Sequence, residues 1–146
     1  MEKSEKCCSV HCTYVLRLAL GGLLLVSGIN KFNGGVSAFV DNMSSMMEGS
    51  LLPMGIVTAF LTIVPLIEVI LGAMILLGLY TKHAAGIASY LFALFVIGLS
   101  STGNPDMMQG ITNNFIFLFA AIMLAKKATM TKLSLDHLIC GGKCEM

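Results

Sequence analysis

The chain has 146 residues, of which 56% are apolar and only 12% charged, with a mean hydropathy of +0.86 and a net charge of +1. That length suits a single domain, and that composition excludes an ordinary water-soluble globule. The near-neutral balance also excludes the basic field on which nucleic-acid binding depends.

Residues 1–12, MEKSEKCCSVHC, read as a short, charged, cysteine-rich tail. Four apolar segments follow, at about 13–31, 56–80, 84–101 and 110–126, each close to the ~17–25 residues that a spanning helix needs. The first is followed by GINKFNGG rather than by a small-x-small cleavage site, so it is predicted to be a retained helix and not a secretory signal. Within it, Arg17, Gly21, Leu24, Gly28 and Lys31 fall on one helical stripe, and its glycines allow a second backbone to come close.

Between the first two spans, Val36, Phe39, Val40, Met43, Met46 and Met47 recur at helical spacing opposite Asp41, Asn42 and Ser45. The pattern predicts a short amphipathic interfacial helix, ended by Gly49 and turned by Pro53, lying as a lid over the outer mouth of the bundle. The second span carries Pro65, Glu68 and Gly72 on one face, directed into the bundle, with Pro65 as a kink. Only a few residues, Tyr80 to His83, separate it from the third, so the two must be antiparallel neighbours. The third span is expected to pack through Gly86, Ser89 and Ala93. The loop STGNPDMMQG is rich in turn formers, and the fourth span opens with Asn113 and Asn114 and stops at Lys126 and Lys127. A second tail, residues 127–146, completes the chain.

With four spans, both termini share a face. That face carries Lys3, Lys6, Arg17, Lys82, Lys126, Lys127, Lys132 and Lys143, against Lys31 alone on the other, which makes both termini cytoplasmic in a plasma membrane. The predicted fold is therefore all-α: a single-domain, integral membrane four-helix bundle, N-in and C-in, with the bilayer as its first partner and homo-oligomerisation left open.

Glu68 lies near the middle of a span, where a charged group is costly, faces the bundle interior and finds a partner. Arg17, Lys31, Asn113 and Asn114 are the candidates. One reading is an ion pair that fixes helix register, and the other is a carboxylate that exchanges protons with a small ligand. The five cysteines lie in the two tails: Cys7, Cys8 and Cys12 with His11, and Cys140 and Cys144 with His137 nearby. These donors are enough for tetrahedral zinc or an iron–sulfur cluster, although the spacing matches neither standard pattern. A redox-active thiol pair and free or lipidated cysteines are the alternatives in a reducing compartment. Met43, Met46, Met47, Met54, Met107 and Met108 gather on the outer side, where thioethers suit Cu(I) but more often serve packing. Hydrolase triads, phosphate-binding glycine loops and metalloprotease motifs are missing from the sequence.

RLALGGLLLVSGINKF at 17–32, PLIEVILGAMILLGLYTKHAA at 65–85 and a fourth apolar span after an outer loop together resemble the DoxX family of small four-helix membrane proteins. The likeness covers about residues 14–125. It implies an integral subunit of a quinone-linked oxidoreductase, such as thiosulfate:quinone oxidoreductase, or a role in thiol redox and oxidant defence. It reaches Arg17, Lys31, Pro65, Glu68, Gly72 and the turn from Gly78 to Ala85, and assigns a chemical step to none of them. The resulting expectation is a membrane subunit whose catalytic cofactor belongs mainly to a protein partner in a complex. In it, Glu68, with Arg17, Lys31 and Asn113, forms an intramembrane polar cluster beside a quinone. The alternative is a non-catalytic assembly subunit whose cysteine tails dock a partner or hold metal.

Overall fold

A computed structural model describes residues 2–47 and 52–127, with side chains from Thr13 onward. Every regular element in them is helical: α1 Glu2–Asn33, α2 Val36–Met46, α3 Met54–Leu77, α4 Thr81–Ser100, a 3-10 turn Pro105–Met107, and α5 Met108–Lys127. Four helices are long and apolar enough to cross a membrane: α3, α4, α1 from Thr13 onward, and α5 together with the 3-10 turn before it. At 1.5 Å per residue, twenty residues rise about 30 Å, the thickness of a hydrocarbon core.

The helix ends follow from local chemistry. The backbone of α1 is helical back to Glu2, through residues expected to form a tail, because EKSEKCCSVHC contains neither proline nor glycine to stop it. It breaks at Gly34 and Gly35, the latter at φ +87°. Helix α2 closes on Met47; Gly49, the expected cap, lies outside the described residues. Helix α3 stops at Gly78, three residues short of the expected end. There the left-handed backbone (φ +73°) lets the Gly78 N–H donate to the Ile75 carbonyl and the Leu79 N–H to that of Met74. Helix α4 consequently starts at Thr81 rather than 84. Asn104 accepts from the Asp106 N–H and Pro105 supplies the first residue of the 3-10 turn that leads into α5.

The helices form an up-down-up-down ring. Helices α1 and α3 pack closely, as do α4 and α5, while lighter α3/α4 and α1/α5 seams close the circle. The α1/α3 seam depends on the absence of side chains. A Cβ on Gly72 would lie 2.5 Å from the Leu25 nitrogen and 2.9 Å from the Gly21 oxygen, and one on Gly28 would lie 2.9 Å from the Pro65 oxygen. Such contact between backbones replaces the hydrophobic drive that is missing between helices in lipid. On α4 the buried small residues are Ala84, Ala85 and Ala88, continuing to Leu91 and Phe92. The expected Gly86, Ser89 and Ala93 are only half-buried, and a Cβ on Gly86 would meet open space.

Towards the end that bears the α3–α4 turn, Leu20, Leu24, Leu71, Ile75, Ala84, Ala88, Leu91 and Leu124 fill the bundle. The outward surface is as apolar as the interior, with Leu18, Ile56, Ile97 and Phe119 all more than half exposed. A surface of that kind belongs in hydrocarbon.

Candidate functional site

Helix direction decides what Glu68 meets. Side chains in a helix lean towards its own N-terminus, and α1 and α3 run antiparallel, so Lys31 and Glu68 lean towards each other. The Lys31 ammonium donates to both carboxylate oxygens at 2.6 Å, and the Ser27 hydroxyl adds a longer bond of 3.3 Å to Oε2. The pair is unequally sheltered: the Glu68 side chain is 6% exposed and that of Lys31 19%. The ammonium also lies over the Phe39 ring, 4.9 Å from its centroid, which ties α2 to the pair.

Arg17 stands apart from this cluster. Like Lys31 it leans towards the α1 N-terminus, which carries it away from Glu68 to the α3 C-terminus, where Nε donates to the Ile75 carbonyl at 3.2 Å and a terminal nitrogen to that of Leu76 at 3.3 Å. Both carbonyls lie in the last turn of α3, that of Ile75 also taking the Gly78 N–H, and a cation there complements the helix dipole. Arg17 is buried and lies 5.9 Å from the Tyr14 ring centroid. On the same end, the Thr13 hydroxyl reaches the Lys127 carbonyl at 3.5 Å, joining α1 to α5.

Lys31 and Glu68 line one side of a cavity of about 510 Å³ between the two helix pairs. Asn113 and Asn114 line it from α5, with Gln109 and Asp106 beyond them. Three of the four residues expected to cluster, Glu68, Lys31 and Asn113, therefore border one space. Its walls are aromatic and aliphatic, chiefly Phe92, Phe95 and Phe117, and Phe39, Met43 and Met46 of α2 stand over it. An apolar enclosure of 300–1,000 Å³ with a few converging polar groups has the usual character of a small-molecule site. Chemically, the ammonium can donate to a ligand oxygen while the carboxylate accepts or releases a proton beside it. Asp106, Gln109 and the aromatic walls were not foreseen from sequence, since they meet Glu68 only once the ring of helices closes.

A sequence model of the DoxX family matches residues 12–101, more than half of the chain and everything from the start of span one to the end of α4. The chain belongs to the DoxX family. It is thus a multi-pass membrane protein, with α5 lying beyond the matched part of this DoxX chain. No curated protein and no solved structure matches it. The motif at Gly78 to Ala85 has a structural meaning in this DoxX member: Gly78 ends α3, while Thr81, Ala84 and Ala85 are buried in the turn and at the start of α4.

Among the described residues no group of three or more His, Cys, Asp or Glu is placed to hold a metal. Cys7, Cys8, His11 and Cys12 fall on the first turns of α1, but their side chains, and Cys140 and Cys144 altogether, lie outside the described residues.

Proposed function

We propose that this DoxX protein is the membrane subunit of a quinone-linked redox system, with the cavity beside Lys31 and Glu68 as the place where a quinone head exchanges protons. The observation that carries this reading is the union, in one apolar space, of a buried carboxylate with the ammonium that pairs it. Aromatic walls suit a flat ring, and Lys31, Asn113 and Asn114 supply donors for its two oxygens. Reducing a quinone to a quinol takes two electrons and two protons. A redox centre on a partner protein supplies the electrons, and Glu68 takes a proton from water at the cavity mouth and passes it to a ring oxygen, once for each of the two protons. Lys31 orients that oxygen and holds the carboxylate in place. The site faces the non-cytoplasmic side of the plasma membrane, with α2 at the interface above it.

Glu68→Gln tests the proposal. Purification from native membranes should retain the protein partner and bound quinone, while electron transfer to quinone is lost. A variant that fails to assemble with its partner, or one that assembles and transfers electrons normally, argues instead for a register-fixing ion pair in an assembly subunit.

A further inference from the structure

A second, wholly apolar groove of about 250 Å³ lies between α3 and α4, lined by Met47, Phe60, Leu61, Leu94 and Gly98 among others. Phe95 lines both this groove and the cavity that holds Lys31 and Glu68. Its ring is tilted against Phe60, with centroids 5.6 Å apart. One aromatic side chain thus stands between a space with a polar end and a space without one. The groove follows the lightly packed α3/α4 seam, and Leu94 on its rim is 54% exposed, so it is open to the acyl chains.

We infer that the cavity's ligand is an amphiphile, with its polar head beside Lys31 and Glu68 and a single flexible apolar chain leaving past Phe95 through the α3/α4 groove. This rests on the quinone reading of the cavity and narrows it to tailed quinones. The occupant follows from continuity: a head drawn in from the bilayer needs an exit for its chain, and this groove is an apolar space that shares Phe95 with the cavity. The exit works by shape rather than by affinity. A chain in hydrocarbon gains nothing hydrophobic on entering an apolar groove, because lipid is already as apolar as leucine. Blocking the exit should therefore weaken tailed ligands and spare tail-less ones.

Two variants block it. Gly98→Leu directs a side chain towards the groove, and its Cβ would lie 3.1 Å from the Met47 Cε, the free end of a flexible side chain that can give way. Leu94→Trp fills the groove from its exposed rim without touching the core. The probes are a decyl-tailed benzoquinone and the same ring without the decyl chain. Binding to the full-length protein in phosphatidylcholine nanodiscs is measured by equilibrium dialysis, with concentrations expressed within the bilayer. Both variants should bind the tail-less ring within twofold of wild type and the tailed one at least tenfold more weakly. Equal affinity of wild type and both variants for the tailed probe overturns the inference. So does an equal loss of both probes. Wild-type protein that binds neither probe overturns the quinone reading together with the inference.

Discussion

The unequal shelter of the two ends of the ion pair gives a sharp expectation for Lys31→Met. Glu68 is 6% exposed and lies in the interior of α3, where its backbone cannot carry the carboxylate out to bulk water, so removing the ammonium leaves a buried charge without its counter-ion. Breaking a buried pair from one side costs about 3–5 kcal/mol. Glu68→Gln is milder, because Lys31 sits two residues from the end of α1, is 19% exposed, and can swing its ammonium outward. Its glutamine can still accept from Ser27, and the cost should be about 1 kcal/mol. Combining Lys31→Met with Glu68→Gln removes both charges at once and should bring stability back to about 1 kcal/mol below wild type. The coupling between the sites is then about 3–5 kcal/mol. Unfolding by dodecyl sulfate in bicelles, followed by circular dichroism, measures all four proteins. A Lys31→Met protein no less stable than Glu68→Gln, or a double variant as weak as Lys31→Met, would refute the reasoning.

Gly72→Ala should destabilise by about 1–3 kcal/mol, since its Cβ would run into the Leu25 and Gly21 backbone, which cannot move without separating α1 from α3. Gly22→Ala, with nothing within 4 Å of its Cβ, should be neutral or slightly stabilising in the same assay. Arg17→Met should cost about 2–3 kcal/mol and speed hydrogen exchange in the last turn of α3; Arg17→Lys should recover only part of this, because one ammonium does not match the guanidinium's fork. A cysteine at Asn113 should react with a membrane-impermeant maleimide added on the face that carries the α1–α3 connection, and not from the face of the α3–α4 turn. One at the fully buried Ala88 should react from neither.

Much of this arrangement is legible in the sequence. A single acid in a long apolar run identifies Glu68, and four apolar segments separated by turn formers give the ring of helices. Choosing Lys31 over Arg17 as its partner takes one more step, namely that side chains on antiparallel helices lean in opposite directions. That step sends Arg17 to the end of α3 and Lys31 back towards the carboxylate. On α4 the buried stripe runs through Thr81, Ala85, Ala88 and Phe92, one position from the small residues at 86, 89 and 93, which are half-buried; small size alone does not tell the two neighbouring stripes apart. Phe92, Phe95 and Phe117 read from sequence as ordinary membrane-helix residues, because their role as cavity walls exists only when α4 and α5 stand beside α1 and α2. The metal reading of Cys7, Cys8, His11, Cys12, Cys140 and Cys144 falls on side chains outside the described residues.

The aliphatic filling between Leu24 and the α3–α4 turn also has an electrical consequence. A proton moved from one compartment to the other works with or against the membrane voltage, by about 2.3 kcal/mol for each 100 mV. Leu20, Leu71, Ile75, Ala88, Leu91 and Leu124 leave a dry insulator below Glu68. On the proposed reading, a proton that reaches the carboxylate from the mouth of the cavity does not itself cross this layer, so its uptake neither builds the voltage nor draws on it.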